Sequence, residues 1–221
     1  MPTIKNQLIK VLFKDESTDL IQDLIIYTNE NYRPYDPGQY LYNLITNVPF
    51  EEKFTDSFIE LVYTTLIAWN MNQRGAKLSE FEVFKKSILE NQKTISLLRD
   101  YRIERLSQKD LIKERLESLF NNLQLVDKNK PKLVTFSKTM HFLLPHLLMP
   151  IDHSYTLQFF YRNTNFEKDE ENQIKIYFEI LDQFIQLAVK YDFTKYIDHR
   201  WNRNIPKIID NTNYCLHNQT T

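Results

Sequence analysis

Glycine is nearly absent: the 221 residues include only Gly38 and Gly75. A GxGxxG dinucleotide turn, a GxxxxGK phosphate loop and a G-x-S-x-G nucleophile elbow all need backbone that bends where a Cβ would clash, so three large enzyme classes drop out. Cysteine is down to Cys215 alone, which excludes an internal disulfide framework, a cysteine-based zinc site and a four-cysteine iron–sulfur cluster. Long apolar runs are missing too. No window reaches the ~18 consecutive apolar residues of a membrane span, and the N-terminal MPTIKNQLIKVLFKDES has no signal-peptide core. The expectation is a cytoplasmic protein with no membrane partner and no cofactor. Nor does either sign of charge dominate: 28 Lys and Arg against 29 Asp and Glu give a net charge of −1. No global field gathers nucleic acid, so any such site has to be a local patch.

Aromatic and apolar residues are plentiful. Fifteen Phe and thirteen Tyr among 42% hydrophobic residues are enough for a sizeable core, despite 26% charged residues. Helical periodicity dominates. Residues 170 to 191 place Ile174, Phe178, Leu181, Ile185 and Ala188 on one face; 109 to 125 do the same with Ile112, Leu116, Leu119 and Leu123, and 55 to 70 with Phe58, Leu61, Val62 and Trp69. Ser79-Glu80-Phe81-Glu82 fits a capping box, and Gly75 suits the left-handed end of the helix before it. Prolines punctuate the rest, with Pro206 opening a last short helix in which Asp210 and Asn211 make local turn bonds. No segment alternates as a strand does. The sequence predicts an all-α, compact multi-helix domain over 1–221; 126–132 is the best internal boundary if it divides into two lobes.

One segment stands apart. Between Pro131 and Thr156, PKLVTFSKTMHFLLPHLLMPIDHSYT, one lysine, one aspartate and three histidines sit among apolar residues, where ionisable groups need partners. A helix over 133–144 is apolar on most faces and therefore central. Lys138 within it either acquires a lowered pKa or an ion pair, which suits an amine nucleophile, or extends its stem to the surface. Asp152 follows Pro150-Ile151 and opens a helix, so it is a natural N-cap; a carboxylate held there also suits electrostatic support of a nucleophile or cation. The 14 residues between them allow a helix, a turn and a return, so the two can face each other.

Other chemistry fits less well. His141 and His146 are five apart with Pro145 between them, unlike an i, i+4 ligand pair, so His141, His146 and His153 read as ordinary histidines and no metal is expected. Ser137 and Ser154 have no oxyanion loop to serve a hydrolase. Two short basic runs could contact nucleic acid: Lys128, Lys130 and Lys132 before the helix, and Arg200, Arg203 and Lys207 around Trp201. Solvated charge, balanced by the acidic run 167–171, is the plainer account of both.

The run from Ser137-Lys138 through Pro145 to Met149-Pro150-Ile151-Asp152-His153 resembles the catalytic stretch of helix-hairpin-helix DNA glycosylases. The resemblance implies a glycosylase-like helical architecture and DNA as partner. It also implies that Lys138 attacks the sugar in a base-excising reaction, with Asp152 as its activating carboxylate. That superfamily carries an L-P-G-x-G turn before the lysine, whose amides grip phosphate; this chain has Lys132-Leu133-Val134-Thr135-Phe136-Ser137 instead. The chain also resembles a set of bacterial all-α proteins without an established activity. They share an S-K-x-x-H-F-x-x-P core, a W-x-M-x-x-R-G-A-K-L stretch matching Trp69 to Leu78, and a P-K-I-I-D-N stretch matching Pro206 to Asn211. The alternative is a non-catalytic interaction or scaffold protein in which Lys138 pairs with a core carboxylate and Asp152 only caps.

Overall fold

A computed structural model describes residues 4–12, 20–31, 37–72, 77–163, 169–198 and 200–220. The described residues form helices and loops with no strand; Leu78 and Val126 make a single antiparallel bridge. The helices are α1 (Leu8–Leu12), α2 (Leu20–Asn31), α3 (Pro37–Asn47), α4 (Asp56–Ala68), α5 (Phe81–Glu90), α6 (Gln92–Ser96), α7 (Lys109–Asn122), α8 (Leu133–Leu143), α9 (Gln158–Tyr161), α10 (Glu170–Lys190) and α11 (Ile205–Thr220). No helix among them is long and apolar enough to cross a membrane. Buried apolar side chains form one cluster from Leu12 to Leu216, drawing on both sides of 126–132.

Most of the stripes read from periodicity face this cluster: Ile112, Leu116 and Leu119 of α7, Phe58 and Val62 of α4, and Ile174, Leu181, Ile185 and Ala188 of α10 are buried, whereas Phe178, Leu61 and Trp69 are only partly buried against it. α8 is central, as its all-round apolar pattern requires. Every residue from Thr135 to Leu143 is buried, and the helix touches both α4 and α10. Its ends are closed by two distant polar side chains, because buried helix termini leave orphan groups. Gln173 of α10 accepts at Oε1 from the amides of Lys132 and Leu133, both at 2.9 Å. At the other end the Lys53 ammonium donates to the carbonyls of Phe142 and Leu143, at 2.7 and 3.1 Å.

Several local expectations are corrected. The capping box does not form: Glu80 precedes α5 and its side chain makes no capping bond. Ser79 is instead fixed by tertiary pairing, its amide donating to the Leu125 carbonyl beside the Leu78–Val126 bridge, while Glu82 pairs with Lys85. Gly75 lies outside the described residues, as do positions 167 and 168 of the acidic run. The left-handed residue that ends α4 is Asn70, at φ 60°. Its amide bonds to the Ile67 carbonyl and the Met71 amide to the Leu66 carbonyl, the Schellman arrangement with asparagine in place of glycine. The final helix is 16 residues long, not short, and Asp210 and Asn211 sit in its body.

Candidate functional site

Beyond α8 the chain turns back on itself, and two polar side chains one helical turn apart hold the return. Ser137 Oγ accepts from the Ile151 amide at 2.9 Å, and His141 Nδ1 lies 2.6 Å from the Leu148 carbonyl. With 148 to 151 pinned along α8, Asp152 emerges beside Lys138, next to Ser137. Lys138 Nζ lies 3.3 Å from Asp152 Oδ2. The carboxylate is fixed from its other oxygen: Oδ1 accepts from the amides of Ser154 and Tyr155, at 2.8 and 3.2 Å, capping the π-helical turn His153–Leu157. Burial pushes the Asp152 carboxyl up, but the Lys138 charge and those two amides outweigh it and hold it below the usual carboxylate range. The Lys138 side chain, 6% exposed, does not reach bulk solvent; its ammonium also lies 3.6 Å from Met71 Sδ and 5.5 Å from the centre of the Trp69 ring.

The pair opens into a cleft of about 260 Å³, partly walled by Trp69, Trp201, Tyr155 and Tyr214. α11 brings a second pair into it. Lys207 Nζ and Asp210 Oδ2 are 2.6 Å apart, one turn from each other, with side chains only 8% and 12% exposed. The Lys207 ammonium lies 5.7 Å from the Trp69 ring centre and 5.4 Å from that of Trp201, so Trp69 carries both lysines. Burial raises the Asp210 carboxyl; Lys207 opposes this and Asp152 adds to it, and the result stands above the ordinary aspartate value. The two carboxyls in the cleft are therefore displaced in opposite directions, Asp152 below its ordinary value and Asp210 above it.

Below the cleft runs a buried chain of hydrogen bonds. Asn204 Nδ2 donates to the Tyr42 hydroxyl at 3.0 Å, which sits 2.8 Å from His141 Nε2. With Nδ1–H directed at the Leu148 carbonyl, His141 accepts from Tyr42 and stays neutral; burial drives its pKa down to about 3. Tyr42 stacks at 5.9 Å on Trp201 and lies 5.7 Å from Trp69, so this chain sets the height of both rings.

The sequence-predicted residues divide. Lys138, Asp152, Trp201 and Lys207 line the cleft; Lys128, Lys130, Lys132, Arg200 and Arg203 do not. Lys128 and Lys130 are exposed on the loop before α8. Lys132 is buried instead of solvated, over the Phe120 ring and 3.2 Å from Glu170. Arg200 is exposed, and Arg203 bonds to Thr46 and Asn47 of α3. Ser137 is structural, Ser154 is exposed, and no group of three or more His, Cys, Asp or Glu among the described residues is placed to hold a metal. Periodicity and composition alone pass over Tyr42, Asp210 and Tyr214. The signal for Asp210 lies in the motif blocks: Trp69 and Met71 from the first, Lys138 from the second and Lys207 with Asp210 from the third all meet here.

No protein-family model matches this chain, and no match is found among curated proteins or solved structures.

Proposed function

We propose that the protein is a DNA-glycosylase-like, nucleic-acid-binding protein that takes one base into the cleft and excises it, with Lys138 as amine nucleophile and Asp152 as its electrostatic partner. The observation that carries this reading is the convergence of Lys138 and Asp152, 3.3 Å apart, in a cleft lined by tryptophan. Enzymes that act on a base take it out of the duplex into a pocket with aromatic walls, and a volume of about 260 Å³ suits one planar ring system. Lys138 attacks the sugar C1′ with its amine lone pair; the ionised Asp152 favours the positive charge that develops on the sugar. The test is borohydride trapping with a duplex carrying one abasic site. A covalent adduct is expected, abolished in Lys138→Ala; no adduct and no DNA binding at low salt would remove the reading.

A specific observation favours a second reading, the non-catalytic scaffold. The amides of Lys132 and Leu133, where a glycosylase hairpin offers its backbone to phosphate, are occupied by Gln173. These two amides therefore already have an internal acceptor and are not free to grip phosphate. In the scaffold reading both lysine–aspartate pairs are internal ties, and neither abasic DNA nor any nucleoside raises the melting temperature.

A further inference from the structure

Two observations about α11 are left over once Lys138 and Asp152 have their roles. Lys207 and Asp210 form a close pair with almost no exposure, in the same cleft, and a buried pair of this kind is weak evidence for a purely stabilising role. The pair is also held in place: the Lys207 amide donates to Asn204 Oδ1 at 2.9 Å, and its ammonium lies over both tryptophans. It is therefore built to the same standard as Lys138–Asp152 and shares Trp69 with it.

We propose that Asp210 is the proton donor to the departing base and that Lys207 stabilises the carboxylate left behind, which makes the substrate class nucleotides whose base is neutral. This rests on the base-excising reading above. The step balances as follows. The neutral Lys138 amine donates its lone pair to the sugar C1′, the C1′–N bond breaks with its electrons on the base nitrogen, and that nitrogen takes the proton from the Asp210 carboxyl. The products are a protonated Lys138–C1′ adduct, a neutral free base and the Asp210 carboxylate beside the Lys207 ammonium. A base already cationic through alkylation leaves without this proton, so it does not need Asp210. The charged and titratable groups acting on Asp210 come from three elements besides its own: Lys138 of α8, Asp152 at the start of the π turn and Tyr42 of α3, together with Lys207. The contrast between a carboxyl held below its ordinary value beside the nucleophile and one raised above it is the pattern of divided acid and base roles.

The experiment measures two quantities on the full chain: release of a neutral base from duplexes carrying uracil, hypoxanthine or 8-oxoguanine, and borohydride trapping on an abasic duplex, which has no base to lose. In Asp210→Asn the ratio of release to trapping is expected to fall about 100-fold, the low end for a general acid, and Asp210→Glu should restore part of it. An unchanged ratio in either variant that still traps overturns the assignment, and so does wild-type protein that traps abasic DNA but releases no neutral base. Wild-type protein that forms no abasic adduct fails differently, by removing the base-excising reading itself.

Discussion

His141 is a histidine with no charge to offer. It is fully buried, both ring nitrogens are engaged, and burial holds its pKa near 3. Its value to the cleft is geometric, since a neutral ring with one donor and one acceptor can link the return segment to Tyr42. Its imidazole resonances are expected to stay in the neutral form down to about pH 4 in histidine NMR; titration near 6.5 would contradict the burial and the tautomer together. Lys138 and Asp152 are legible in the sequence because a charge in an apolar run demands a partner. Asp210 is not, because an aspartate beside an asparagine near the chain's end reads as a local turn bond until α11 is seen to carry it into the cleft beside Trp69. Lys132 shows the opposite error: near Lys128 and Lys130 it looks like solvated surface charge, yet Phe120 and Glu170 enclose it.

At the scale of elements, the cleft depends on how two helices end. The Schellman turn after α4 sends Trp69 and Met71 toward Lys138, and the Asp152 cap begins the turn after α8. Asp152→Ala removes a cap, worth about 1 kcal/mol, and leaves the Lys138 ammonium buried without its carboxylate. A total loss of roughly 3 kcal/mol is expected in denaturant unfolding, with Lys138→Met/Asp152→Ala recovering much of it. A loss no larger than that of a simple cap would show that the pair carries no coupling. Helix existence was readable from 3.6-residue spacing, and facing was readable for α4 and α7, which each bury one stripe; α10 buries a much wider face, with Tyr177, Ile180, Phe184 and Leu187 beside the stripe that the spacing picks out. Helix ends were less readable. The start of α5 is decided by a bridge to Val126, and the left-handed turn by Asn70, both matters of tertiary fit and not of local propensity.

For the whole molecule, the buried ends of α8 couple stability to pH. Lys53 is buried against two carbonyls, and burial lowers its pKa from 10.5 to about 7. Between those values the unfolded chain binds the extra proton, so this contribution to stability is full above pH 10.5 and is lost as pH falls through 7. The melting temperature is expected to rise from pH 7 to 9.5, and Lys53→Met should flatten that rise; a parallel slope in the variant would show that Lys53 does not set it. On the acid side, the sign is the same for His141 and for Asp152, whose folded values both lie below their ordinary ones, so stability falls as pH drops through 6.5 and then through the carboxylate range. In the reaction proposed above, the amine that meets the electrophilic sugar carbon is Lys138 and not Lys207. The most direct test of this is mass-spectrometric mapping of the peptide that retains the sugar after borohydride trapping on an abasic duplex. The predicted result is a single modified peptide with the added mass on Lys138; mass on Lys207 or another amine, or no modified peptide, would contradict it.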